Sequence, residues 1–220
     1  MASEIVRLAF CFDGWVFGGY VRDVNILEQE SSTDVDLMFP GTADVDQFVA
    51  CLNVTHKVEV IDDSEFMNKT MYMSPGIKRL IKIKAGSVSV DVCVFDGDMD
   101  DWKSEKSTDF SCNLFYMSRT VGLGIRYIPE CYKHIPDPVT HLVNMTIDGK
   151  FERVWDPEMP SIKDVYKIIR RIKKMKGRGF VLTNEMCSER MWDKIDLADD
   201  DIRCKIQDYI NSNSSSKRSL

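Results

Sequence analysis

No apolar run in this 220-residue sequence approaches the roughly 18 residues that a membrane-spanning helix needs. The first residues lack the basic start and long apolar core of a secretory leader. Glu4 and Arg7 flank the opening apolar stretch, and Asp13 interrupts it. The seven cysteines contain no CxxC, their number is odd and their spacing is wide, so neither a disulfide framework nor a zinc knuckle is expected. The three histidines, His56, His134 and His141, form no HxH or HExxH pair and read as structural or surface residues. Positive charge is also short: 29 bases against 35 acids give a net charge of −6. That excludes a protein that coats nucleic acid through bulk charge, though not a local basic patch. These absences predict a cytoplasmic protein with reduced thiols.

What remains is globular chemistry, with 44% hydrophobic and 29% charged residues. A chain of this length buries roughly 70% of its unfolded surface and needs no staples. Strands are expected at 15–17, 34–40, 57–61 and 125–128, with a Val- and Ile-rich hairpin of 77–84 and 88–95 turning at Ala85-Gly86-Ser87. Helices are expected at 4–12, 20–28, 44–52, 109–118 and 138–145. The clearest helix is 161–176. Pro160-Ser161 starts it, and Ser161 and Asp164 make a capping pair. Ile162, Val165, Ile169, Ile172 and Met175 form a core stripe, and Gly177 and Gly179 end the helix. Two short helices, 183–192 and 199–210, precede a Ser-rich tail expected to be disordered. Strands early and helices late predict an α+β fold.

The chemistry begins at Asp34 and Asp36. On a strand, positions i and i+2 face the same way, so two carboxylates sit side by side. Like charges at that distance repel unless a cation lies between them, and Mg²⁺ prefers such oxygen ligands. A lone DxD is also common at a solvated strand edge. Upstream, Gly18-Gly19-Tyr20-Val21-Arg22-Asp23 joins an apolar strand to a helix, and glycines there let backbone N–H groups approach an anion. Asp91 stands among valines in Val88-Ser89-Val90-Asp91-Val92-Cys93-Val94. It needs a partner or a metal there, unless it faces water from an edge strand. Three carboxylates on strands beside a glycine turn suit two-metal phosphoryl chemistry.

These blocks resemble the head of class II tRNA nucleotidyltransferases and bacterial poly(A) polymerases, in the DNA polymerase β-like nucleotidyltransferase superfamily. WVFGGYVRD followed by STDVDL matches an apolar strand, GG-x-VRD and D-x-D. Asp109, Phe110, Asn113, Leu114 and Tyr116 match a second block, RRDFTxNALxY, without its two arginines. The run from Lys163-Asp164 to Gly179-Phe180 matches the ED-x-x-R helix at family spacing, with Lys163 for Glu and Lys167 for Arg. The likeness covers about residues 13–182. It implies a catalytic head over 1–155, a short truncated helical neck over 156–210 and a tail over 211–220. About 30 residues follow Phe180 before that tail, where the family continues into long helical regions that hold tRNA.

The resemblance implies that Asp34, Asp36 and Asp91 hold two Mg²⁺ ions, with Asp91 activating the attacking 3′-hydroxyl. Gly18, Gly19 and Arg22 would face the triphosphate, although Arg22 could instead pair with a nearby Asp. Asp109 and Asn113 would face the sugar and phosphates. Asp164 and Lys167 would read the base of ATP or CTP, with Arg170 also at the nucleotide. A lysine lacks the planar fork of arginine, which loosens the expected choice between C and A. Residues 163–178 carry eight basic side chains against one acid, +7 locally and −13 elsewhere. Arg171, Lys174 and Arg178 on that run are the expected RNA contacts, if the run is more than a solvated helix face. A homodimer or a partner would complete the RNA surface. The expected reaction adds NMP from an NTP to the 3′ end of a tRNA-like RNA acceptor and releases pyrophosphate. Transfer to a protein or small molecule, and non-catalytic nucleotide or RNA binding, stay open.

Overall fold

Period-two alternation in the first half of the chain builds one seven-stranded sheet. A computed structural model describes residues 1–65, 76–104, 108–154 and 162–184. They divide into two units, Met1–Asp148 and Gly149–Leu220.

The first unit opens with helix α1 (Ala2–Cys11) and strand β1 (Trp15–Phe17), followed by a wide helical turn over Val21–Ile26. Strand β2 (Asp34–Phe39), helix α2 (Thr42–Thr55) and strands β3 (Val58–Glu65), β4 (Ile77–Ala85) and β5 (Val88–Phe95) come next. Helix α3 (Met99–Ser104), a short 3₁₀ turn (Ser111–Asn113), strands β6 (Phe115–Ser118) and β7 (Gly122–Ile125), and helix α4 (Pro138–Ile147) complete it. The strand order is β3-β4-β5-β2-β1-β6-β7. β2 and β5 run parallel, and the other neighbours are antiparallel. The architecture is the expected α+β one, a mostly antiparallel sheet with helices packed on it.

The two faces of the sheet differ. Val35, Leu37 and Phe39 of β2 and Val90, Val92 and Val94 of β5 are buried on one face. Helices α1 and α2 pack there, with the Phe39 and Phe48 ring centroids 5.1 Å apart. Val45, Phe48 and Leu52 recur at helical spacing, which fixes the buried side of α2. Each such side chain contributes about 1.5–3 kcal/mol on burial. On the other face Met38, Phe95, Met99, Trp102 and Tyr116 form a second cluster, against which Trp15, Phe17, Ile77 and Cys93 pack. Trp15 stacks on Tyr116 at 4.9 Å, and Trp102 meets Phe17 edge-on at 5.3 Å. This cluster closes the Met38 end of that face and leaves the Asp34 end to polar residues.

Three sequence expectations are corrected. Residues 109–118 are not a helix: Phe110 is extended, only Ser111–Asn113 turn as 3₁₀, and Phe115–Ser118 enter the sheet beside β1. Phe115 and Tyr116 are buried, so two packed sheet faces outweigh local helical spacing. The strand expected at 125–128 lies at Gly122–Ile125, because Gly122, at φ +69°, turns the chain back directly onto Ser118. Residues 20–28 do coil, but as a π-helical turn over Val21–Ile26.

In the second unit β8 (Lys150–Phe151) pairs in parallel with β9 (Val181–Leu182), and helix α5 (Ile162–Gly177) lies between them in sequence. Ile168, Ile169, Ile172 and Met175 form the buried side of α5, and Phe151 meets Phe180 edge-on at 6.3 Å. Ser161, most of 183–192, and all of 199–210 and the tail lie outside the described residues, as do the side chains of Ile162 and Val165. No helix among the described residues is long and apolar enough to cross a membrane.

Candidate active site

One register row crosses the whole sheet: Asp62 on β3, Lys82 on β4, Asp91 on β5, Asp36 on β2, Phe17 on β1, Tyr116 on β6 and Gly124 on β7. Asp36 and Asp91 are direct partners on parallel strands, and strands lie about 4.8 Å apart. Asp34 stands two residues from Asp36 on the same face, in register with Ser89. The fold thus brings the three sequence-predicted carboxylates to one patch. Asp34 is exposed, while Asp36 and Asp91 are half-buried. Among the described residues no three His, Cys, Asp or Glu side chains converge as a ready-made metal cage.

The electrostatics follow from this crowding. Burial holds the Asp91 carboxyl above the ordinary range; Lys82 opposes that shift and Asp34 adds to it. Burial, with Asp36 and Asp91 nearby, pushes the Cys93 thiol up to about 12. Cys93 is therefore a protonated packing residue at neutral pH, not a nucleophile.

The Asp91 shift gives a stability prediction with a definite sign. The unfolded carboxyl titrates near 3.8. With a raised native value, the folded state binds more protons between the two values. The stabilising contribution is then complete below the unfolded value and lost as pH rises through the native one. Asp91→Asn is expected to raise the melting temperature at neutral pH and to give no such gain below about pH 4. Thermal melts from acid to neutral pH check this; an equal gain at both ends would show that burial does not penalise the charge.

The glycine turn borders the patch on the β1 side. Gly18 has φ +69°, and a Cβ placed there would lie 3.0 Å from Asp36 Oδ2. A side chain at Gly18 would be strained and would crowd the carboxylate. A Cβ at Gly19 would lie 3.6 Å from Arg22 Nη2. The turn is held by Gly18 N–H donating to Phe115 O at 3.3 Å. Beneath it Arg22 is buried. Its Nε and Nη2 donate to Asp23 Oδ1 and Oδ2 at 2.6 and 2.8 Å, and its Nη1 to Asn113 Oδ1 at 2.6 Å. Burial works against the Arg22 charge, but the Asp23 carboxylate holds it above its ordinary value. This guanidinium ties the first sequence block to the second. Asp109 is buried nearby in sequence, before the 3₁₀ turn that carries Asn113.

No protein-family model matches the chain, and no curated protein matches it by sequence. Solved structures do. A CCA-adding enzyme in an apo form superposes with a TM-score of 0.51 at 17% identity, over 86% of this chain and 41% of that one. The Thermotoga maritima CCA-adding enzyme complexed with tRNA gives 0.51 at 16% identity, over 87% and 42%. A CCA-adding enzyme complexed with ATP gives 0.51 at 17% identity, also over 87% and 42%. The fold is that of the head of a CCA-adding enzyme. The chain spans about two fifths of the length of the structures it matches.

Within this head-like fold the first unit gathers Gly18, Gly19, Asp34, Asp36 and Asp91 at one patch, with Arg22 under the glycine turn and Asn113 bonded to it. Asp109 also belongs to the first unit, and the other predicted residues belong to the second. Asp164, Lys167, Arg170, Arg171 and Lys174 lie on α5, and Arg178 follows its end. Arg170, Arg171, Lys174 and Arg178 are exposed. The alternative that Arg22 pairs with a nearby Asp holds, with Asp23 as the partner, but the pair is buried and not at the surface. The sequence reading missed Lys82, whose place beside Asp91 only the hairpin register reveals.

Proposed function

We propose that this chain transfers a nucleotide from an NTP to the 3′ end of an RNA acceptor and releases pyrophosphate. The observation that carries the reading is the juxtaposition of Asp36 with Asp91 across two parallel strands, with Asp34 on the same face and the glycine turn against Asp36. That donor set is all carboxylate, which suits a hard divalent cation. Magnesium is commonly held by one or two carboxylates together with substrate phosphates, so a preformed three-ligand cage is not required. Asp34, Asp36 and Asp91 would hold such ions, which supply charge neutralisation at the reacting phosphate when bound.

The chain's own residues divide the remaining work. Gly18 and Gly19 let the backbone approach the triphosphate without side-chain interference. Arg22, anchored on Asp23, lends its positive charge to the turn from below. Asp91 accepts the proton of the attacking 3′-hydroxyl. Asn113 and Asp109 serve the sugar and phosphates. Solved structures similar to this chain include CCA-adding enzymes with ATP and with CTP, which supports those nucleotides as substrates. A complex with tRNA among them supports an RNA acceptor. Arg171, Lys174 and Arg178 add an exposed basic strip for RNA, and a second copy or a partner would extend it.

The test is incorporation of each of four labelled NTPs with magnesium, on tRNA lacking its 3′ end. Labelling of the RNA from ATP or CTP is expected. No labelling of RNA from any of the four overturns the reading.

A further inference from the structure

The carboxylate row continues past Asp91 onto β4, where the charge changes sign. β4 carries four cations, Lys78, Arg79, Lys82 and Lys84. Two of them are engaged. Arg79 bonds Asp46 and Asp63 at 2.7 Å each, and Lys78 pairs with Asp96 at 3.1 Å. Lys82 and Lys84 are exposed, and among the described residues neither side chain forms a hydrogen bond or an ion pair. They stand two apart on one strand and so share a face. Lys82 is in register with Asp91, and Lys84 with Ser89, the partner of Asp34. On their other side β3 offers Asp62 and Glu59 in register. Asp62 is engaged along its own strand, accepting from Ser64 Oγ at 2.8 Å.

The strand order gives these lysines a direction. Across the sheet run Lys82, Asp91, Asp36 and then the glycine turn, so the carboxylates separate a flexible cationic flank from a backbone N–H flank. A triphosphate at the glycine turn leaves the β4 flank to the other reactant. A lysine ammonium is a point charge on a long stem. It follows a mobile phosphodiester without demanding a fixed fork geometry, and phosphate contacts position a strand without reading its bases. We propose that Lys82 and Lys84 grip the phosphate backbone of the acceptor strand, on the flank of the carboxylates opposite the glycine turn. This rests on the nucleotidyl-transfer reading for the identity of the acceptor, and it adds a second cationic surface to that of α5.

The experiment measures binding of a labelled single-stranded RNA oligonucleotide to the full chain across salt, for wild type and for Lys82→Gln, Lys84→Gln and the double variant. Binding of a non-hydrolysable ATP analogue is measured in parallel. Each phosphate contact on a single strand contributes about 0.7 to the salt slope, so the double variant should lose roughly 1.4. Its RNA-binding defect should then shrink about sevenfold between 50 and 200 mM salt. Affinity for the ATP analogue should stay within twofold. A control with the same charge change elsewhere, Arg7→Gln with Arg119→Gln, should keep the wild-type slope. Equal slopes for wild type and double variant overturn the proposal. So does an analogue affinity that falls as far as that for RNA, which would assign the lysines to the triphosphate. Because the readout is binding, a chain that shows the slope change but transfers no nucleotide overturns the proposed reaction and leaves the lysine surface standing.

Discussion

Replacing Asp36 with alanine is expected to lower nucleotide transfer about a thousandfold, the scale of several kcal/mol of lost charge stabilisation at the reacting phosphate. Asp34→Ala should act the same way. Neither change should unfold the chain. Asp34 is exposed, and Asp36 stands on a half-buried face among like charges, so its removal relieves repulsion instead of opening a core cavity. The melting temperature should stay level or rise. Asp34→Ala should also lower the Asp91 carboxyl in part, because the Asp34 charge adds to the rise that burial causes. Steady-state transfer with magnesium, thermal melting and a pH–rate profile test the three statements separately. A variant at Asp36 that retains wild-type turnover removes the assignment of this patch as the catalytic centre.

The second large effect is on folding. Arg22→Met should destabilise the first unit by about 3–5 kcal/mol, the range for removing one partner of a buried ion pair. On a unit of this size that is a fall of roughly 10 °C in melting temperature. Both side chains of the pair are almost wholly buried, at 4% and 11% exposure for Arg22 and Asp23, so solvent does little to screen the loss. Asp23 loses two short donors and Asn113 loses its 2.6 Å contact. Arg22→Lys should recover only part of this, since one ammonium cannot span Asp23 and Asn113 with the same fork. Removing both charges, as Arg22→Met with Asp23→Leu, should be milder than the single change, because no carboxylate is then left in the interior without its guanidinium. Denaturant or thermal unfolding of wild type, Arg22→Met, Asp23→Leu and the double variant forms a double-mutant cycle. A single Arg22→Met variant that melts within 2 °C of wild type would refute the structural role.

The two predictions separate two kinds of charged residue that look alike in a sequence. Arg22 reads either as a contact to a ligand or as the partner of a nearby Asp, and the fold turns it inwards onto Asp23 to fasten the glycine turn to the segment carrying Asn113. Asp34 and Asp36 read as a motif, and the fold leaves them towards solvent beside Asp91. The difference lies in which strands and turns stack above each pair, which spacing alone does not encode.

Much of the local structure was set by sequence. Trp15–Phe17, Asp34–Phe39 and the hairpin of Ile77–Ala85 with Val88–Phe95 formed where alternation and glycine placed them, because the two-residue side-chain period and the turn at Gly86 are local properties. The buried side of α5, with Ile169, Ile172 and Met175, followed from helical spacing. The shared face of Asp34 and Asp36 was equally local. What only the tertiary structure decided was pairing across distance. That Asp36 stands against Asp91 and that Lys82 flanks them depend on β5 inserting between β2 and β4, a choice made by burying Val35, Leu37, Val90 and Val92 together under α1 and α2. Burial of Phe115 and Tyr116 drew Phe115–Ser118 into the sheet instead of a helix. A short apolar run fits either period, and the partner strand, not the run itself, selects between them.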